Sequence, residues 1–161
     1  MDDAIVIRGE RRAGDDELIV ALHADGYRGE GAHFNDAFLV HVRATVAEAR
    51  LDAPGAGRVF FAERGGLAIG CAAMIARGDR GQLRWVVLTP AARGTGIGRR
   101  LVHAALDEAR ARGFASVFLE TTSGLVASMG LYRTLGFVET EHGDHAPWES
   151  EADVIRMTLA L

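Results

Sequence analysis

The segment Pro90-Ala-Ala-Arg-Gly-Thr-Gly-Ile-Gly-Arg-Arg100 sets glycines at 94, 96 and 98 among arginines at 93, 99 and 100, and runs straight into the amphipathic stretch LVHAALDEAR. Glycines at this spacing before a helix let the main chain approach a ligand with no Cβ in the way, and leave the first helical N–H groups free to donate. Phosphate is the anion that suits such a cradle. A nucleotide P-loop needs Lys and then Ser or Thr after its last glycine, whereas Arg99 and Arg100 follow Gly98. A dinucleotide fold has more in its favour: strand, glycine loop, helix and strand occur in order, and Glu120 lies 24 residues beyond Gly96, near where a ribose-binding acid would stand. Against it, the glycines run G-x-G-x-G rather than G-x-G-x-x-G, and the 41 residues after Glu120 are too few for a second mononucleotide-binding half. His142 and His145, three apart with no cysteine beside them, make a poor metal pair, so no metal is expected.

The elements that must carry this loop follow from composition and periodicity. A chain of 161 residues with 48% apolar content suits one domain over residues 1–161 with a core of its own. The formal charge of −4 argues against a broad nucleic-acid or anionic-lipid footprint, so any anion site is local. Cys71 is the one cysteine, which excludes an intrachain disulfide and suits a reducing cytoplasm. No leader-like N-terminus and no long apolar run occur, so neither export nor a membrane span is expected.

IVIR (5–8) reads as a first strand, followed by helical segments DDELIVALHADGY and FNDAFLVHVRATVAEAR, the second with Phe38, Val42 and Val46 on one face. RVFFAE, LAIGCAAMIA and QLRWVVLTP then form an antiparallel meander with tight turns. The helix after the glycine loop buries Leu101, Val102, Ala105, Leu106 and Ala109 and closes at Arg112-Gly113. SVFLETT, GLVASMGLYRTLG, FVETEH and ADVIRMTLAL complete the order β-α-α-β-β-β-α-β-α-β-β, an α+β domain with a mixed, mostly antiparallel central sheet flanked by helices.

Arg93-Gly94-Thr95-Gly96-Ile97-Gly98 resembles the R/Q-x-x-G-x-G/A signature of the GNAT superfamily of N-acetyltransferases, and LYRTLGF (131–137) resembles that family's L-Y-x-x-x-G-F segment. The two together cover roughly residues 58–142 well. LRWVVLTPAARGTGIGRRLV, FLETTSGLVAS and the late His and Trp resemble more closely the acetyltransferase domain found alone or behind winged-helix regulators of the MarR type, of which the free-standing form would be expected here. The resemblance implies an acetyl-CoA-dependent transfer to a primary amine by direct attack in a ternary complex. A non-catalytic acyl-CoA-binding sensor or interaction module would share the same fold and loop.

It also implies roles. Main-chain N–H groups across Gly94, Thr95, Gly96, Ile97, Gly98 and Arg99 would hold the pyrophosphate of acetyl-CoA, with Arg93, Arg99 and Arg100 adding charge, and Val86, Val87 and Leu88 would offer main-chain groups to the pantetheine arm. Tyr132 matches the tyrosine that protonates the departing thiolate; a phenol with a pKa near 10 keeps its proton at neutral pH yet can donate to developing negative charge. Glu120 matches a general base, with Glu63 and Glu139 as alternatives. Tyr27, Phe34, Phe38 and Trp148 would wall the acceptor pocket, and Trp85 is core or groove lining. One departure is Leu125, where many members carry a CoA-contacting Asn. The acceptor implied is a small-molecule or peptide amine, with a cationic amine favoured by the chain's net acidity and no nucleic-acid or membrane partner; the resemblance also allows a homodimer.

Overall fold

The computed structural model describes residues 4–27, 36–122, 126–142 and 154–161. Among these, the elements run β1 (Ile5–Arg8), α1 (Asp15–Gly26), α2 (Asp36–Ala49), β2 (Gly57–Arg64), β3 (Leu67–Arg77), β4 (Arg80–Leu88), a 3-10 turn (Pro90–Ala92), α3 (Ile97–Ala111), β5 (Ser116–Thr122), α4 (Val126–Thr134), β6 (Val138–His142) and β7 (Val154–Ala160). This is the order the periodicity predicts. Asp15, Asp16 and Glu17 occupy the first turn of α1, where the helix dipole favours negative charge. Leu101, Val102, Ala105, Leu106 and Ala109 form the buried stripe of α3.

The seven strands form one sheet in the order β1-β2-β3-β4-β5-β7-β6. Only β4 and β5 run parallel; every other neighbouring pair is antiparallel. That pattern removes the dinucleotide reading, which requires a doubly wound parallel sheet. Two apolar clusters cover the two faces. One gathers α3 and α4 with Phe60, Met74, Leu83, Leu119 and Met157, and the other gathers α1 and α2 with Val59, Phe61, Ala73, Ile75 and Trp85. No described helix is long and apolar enough to cross a membrane.

A bulge interrupts the sheet at its centre. Cys71 pairs with Val87 and Ala73 with Arg84, so β4 spends one residue more than β3 across this interval. Trp85 takes up the excess at φ +49°, an unusual conformation for a bulky side chain. The Cys71 thiol donates to the Trp85 carbonyl at 3.1 Å, fixing the bulge from the neighbouring strand. On its other side β4 keeps its pairing with β5 only from Arg80–Ser116 to Leu83–Leu119.

Two contacts fix α1 over this interruption. At its start, the buried Arg8 guanidinium holds Asp15 through two hydrogen bonds of 3.0 Å and Glu63 at 3.1 Å, tying the helix to β1 and β2. At its end, Gly26 lies so close to β4 that a Cβ there would stand 2.2 Å from Val87 Cγ2 and 2.8 Å from the Leu88 carbonyl oxygen. Gly26→Ala therefore must push α1 off β4. The expected loss is about 2 kcal/mol of unfolding free energy, measured by urea denaturation. An unchanged midpoint would show that the two elements are not in rigid contact.

Candidate active site

Beyond Leu83 and Leu119 the strands β4 and β5 part, and a cavity of about 150 Å³ opens between them. A cavity of that volume accepts a ring the size of benzene. Each element around it contributes. Helix α1 supplies His23 and Tyr27, α2 supplies Phe38, His41 and Thr45, β4 supplies residues from Gln82 to Val86, β5 supplies Glu120 and Thr121, and α4 supplies Ser128 and Tyr132. Because α1 and α4 belong to opposite faces of the sheet, Tyr27 and Tyr132 can meet in one cavity only where the sheet is split.

Tyr132 is buried, stacked edge-on against Phe137 at 5.9 Å, and its hydroxyl finds no hydrogen-bond partner among the described residues. Burial, and then Tyr27 nearby, push its phenol above the ordinary range, so it carries its proton at every physiological pH. Glu120 is the one carboxylate among the described residues lining the cavity. Its Oε1 accepts from Arg156 at 2.8 Å, while no described residue donates to Oε2. Glu63 is committed to Arg8 beneath α1, and neither it nor Glu139 on β6 reaches the cavity wall.

Tyr27 and Phe38, the two described residues of the expected acceptor wall, both line the cavity and meet edge-on at 5.1 Å. Trp85 lines the same cavity, its indole N–H 3.4 Å from the Thr45 hydroxyl. Phe34, His145 and Trp148 lie outside the described residues, as does Leu125. Sequence reasoning passed over His23, His41 and Arg84. His23 follows Ile19 and precedes Tyr27 by four residues each, the helical spacing that puts it on the cavity side of α1. Its Nδ1–H donates to the Ile19 carbonyl at 2.7 Å, which leaves Nε2 as an acceptor. Burial, with a smaller push from the Arg84 charge, brings its pKa down to about 4.

The glycine loop lies at the far end of β4. Gly94 and Gly96 have φ +73° and +80°, conformations that glycine adopts without strain, and no atom stands within 4 Å of where a Cβ would be. Gly96 is the N-cap of α3 and offers no side chain to cap it. Intrahelical bonding begins with the Arg100 N–H to the Gly96 carbonyl at 3.1 Å, so the preceding N–H groups of Ile97, Gly98 and Arg99 are open to a ligand. Open, unstrained and uncapped, this cradle fits a diphosphate. The arginines are less mobile than their position suggests. Arg93 turns back to the Gly26 carbonyl, Arg99 donates to the Thr134 hydroxyl at 2.9 Å, and Arg100 reaches the Ile5 carbonyl at 3.4 Å. Among the described residues Val87 and Leu88 continue past the bulge paired with β3 alone, so no described strand pairs with their β5-facing side.

The sequence profile of the acetyltransferase (GNAT) family matches residues 25–137, more than half of the chain. An IAA acetyltransferase of Azospirillum brasilense is 38% identical over 84 residues, which cover 51% of this chain and 55% of that protein, so the chain matches only about half the length of that relative. Among solved structures, the ribosomal-protein-S18-alanine N-acetyltransferase of Escherichia coli superposes with a TM-score of 0.76 at 20% identity, covering 98% of this chain and 94% of that one. The structure of yncA from Salmonella typhimurium with its cofactor acetyl-CoA superposes with a TM-score of 0.72 at 23% identity, covering 98% and 94%. At these identities the superpositions speak to the fold.

His23 leaves a measurable trace. Its imidazole stays neutral in the folded chain down to about pH 4, whereas the unfolded chain takes up the proton near pH 6.5. Acidification from pH 7 to 4 therefore removes about 3 kcal/mol of stability through this residue, with the loss confined to the window between the two values. His23→Gln flattens the dependence by about that amount in denaturant titrations at the two pH values. An unchanged slope would mean that His23 is not held neutral.

Proposed function

Since this chain belongs to the acetyltransferase (GNAT) family, we propose that it transfers the acetyl group of acetyl-CoA to a primary amine by direct attack within a ternary complex. The observation that carries this reading is the convergence of a protonated Tyr132 hydroxyl, with no hydrogen-bond partner among the described residues, and the Glu120 carboxylate on one cavity at the split between β4 and β5. The open helix end of α3 lies beyond the same strand β4.

In this reading the main-chain donors from Gly94 to Arg99 bind the pyrophosphate, and the edge of Val86, Val87 and Leu88 that no described strand pairs lines up the pantetheine arm. A main-chain N–H on that edge polarises the thioester carbonyl. The neutral amine attacks the carbonyl carbon, forming a C–N bond as the C–S bond breaks. Its surplus proton passes to Glu120 through Oε2, directly or by one water, and the Tyr132 hydroxyl donates its proton to the sulfur that leaves. The products are an amide and free CoA thiol, with no covalent enzyme intermediate. Cys71 has no part as a nucleophile, because it is buried on β3 with its thiol bonded to the Trp85 carbonyl. The likeness to the acetyltransferase domain of MarR-type regulators and a cytoplasmic setting both accord with this chemistry.

Gly96→Glu places a carboxylate at the N-terminus of α3, where the diphosphate would sit, and should abolish acetyl-CoA binding in calorimetry; wild-type affinity would remove the loop from the site. Tyr132→Phe should lower kcat by about 100-fold while leaving the affinity for acetyl-CoA in place. A normal rate in that variant would dismiss Tyr132 as the acid. Acetyl-CoA binding without thiol release from any amine would instead identify a sensor.

A further inference from the structure

Arg84 and Glu120 are the first residues past the last paired positions of β4 and β5, so they flank the point where the sheet opens. The bulge brings Trp85 to the side of the sheet that Arg84 already faces through its regular pairing with Ala73. In an unbroken strand, neighbours alternate between faces, and Arg84 and Trp85 would lie on opposite sides. With Trp85 at φ +49°, both line the same cavity, and the Arg84 guanidinium lies over the indole with its Cζ 4.9 Å from the ring centroid.

Arg84 makes no hydrogen bond or ion pair with any described residue, whereas the neighbouring arginines do. Arg77 donates to Gln82 at 2.9 Å, and Arg156 is bound to Glu120 at 2.8 Å. The carboxylate in the cavity wall therefore has its cation already, while Arg84 feels Glu120 and Glu48 only at a distance and bonds to no carboxylate among the described residues. The histidines do not supply one. Burial first, and then the Arg84 charge, hold both His23 and His41 below the ordinary imidazole range, and a neutral ring does not balance a guanidinium. A half-buried guanidinium stacked on an indole presents a planar fork of N–H donors to the cavity, and its matching partner is a carboxylate bound through two parallel hydrogen bonds. The described lining of this cavity holds one guanidinium and one carboxylate, and the carboxylate is already bonded to Arg156.

We propose that Arg84 binds the carboxylate of the acceptor, so that the amine acetylated here belongs to an amino acid whose apolar side chain lies against Tyr27, Phe38 and Trp85. The inference rests on the acetyltransferase reading above and names the substrate class of that site. The amino group is directed toward Glu120, across the gap between the two strands, while the carboxylate stays on β4. A polyamine or aminoglycoside offers nothing to Arg84 and brings more positive charge to it.

The test is a thiol-release assay with acetyl-CoA and a set of apolar amino acids, each beside its methyl ester and its decarboxylated amine, on the wild-type chain, R84Q and R84K. The free acids should exceed their esters and amines in kcat/KM by on the order of 10- to 100-fold, chiefly through KM. R84Q should bring that ratio close to one, and R84K, which keeps the charge but loses the fork, should fall between. A wild-type ratio of one, a ratio that survives in R84Q, or release only with polyamines or aminoglycosides would overturn the proposal. Should R84Q fail to fold by circular dichroism, the wild-type and R84K ratios decide the matter. Calorimetry of acetyl-CoA with the wild-type chain separates the two levels. Binding with a ratio of one removes only the role of Arg84. No binding, or binding with no release from any amine, removes the acetyltransferase reading and this inference together.

Discussion

Strand β4 cannot both carry the extra residue at Trp85 and stay paired with β5, and nearly every functional feature of the molecule depends on that conflict. A bulge bends its strand and increases the local twist; here it lies just beyond the last β4–β5 pair, Leu83–Leu119. The split that results lets side chains from opposite faces meet and frees one edge of β4. Had the strands stayed together, Tyr132 would be an ordinary core residue under α3, and Tyr27 and Phe38 would pack on the far side of an unbroken sheet.

The surroundings are arranged to hold this otherwise unfavourable geometry. Cys71 satisfies the carbonyl that the bulge displaces, Thr45 lies within reach of the indole N–H, and the close approach of Gly26 lets α1 press directly on β4 beyond the bulge. The Arg8, Asp15 and Glu63 cluster anchors the other end of α1, so the helix is positioned from both termini. Buried ion pairs of this kind add little net stability but penalise any arrangement that separates them. In α1 that penalty fixes where His23 and Tyr27 face.

Much of this was legible in the chain. Strand and helix periods gave every described strand and α-helix in order, though not the 3-10 turn at Pro90–Ala92, and the glycine loop stood out because its chemistry is local: three glycines and the helix they introduce are contiguous. Tyr132 and Glu120 were identified by their place relative to motifs, and the structure brings both to the cavity. The bulge was not legible from residue pattern alone. QLRWVVL reads as simple alternation, and a tryptophan at positive φ breaks the expectation that only glycine or asparagine marks such a point. Arg84 was missed as a consequence, since its place in a cavity wall depends on Trp85 turning to its side and on β5 leaving β4 at that point. His23 was missed for a different reason: whether a helical histidine is buried depends on what lies across from it, and that partner, Phe38, arrives from another helix with its ring 6.1 Å away.

The arrangement around Cys71 also determines how the protein behaves toward sulfur-seeking reagents. The only sulfhydryl in the chain is fully enclosed, its proton engaged by the Trp85 carbonyl and its acidity suppressed by burial. Nucleophilic sulfur chemistry requires the thiolate, so the folded chain is chemically silent to disulfide and maleimide probes. Colour that develops in such a reaction mixture reports liberated product, and a signal from the polypeptide itself would announce that the central sheet has come apart.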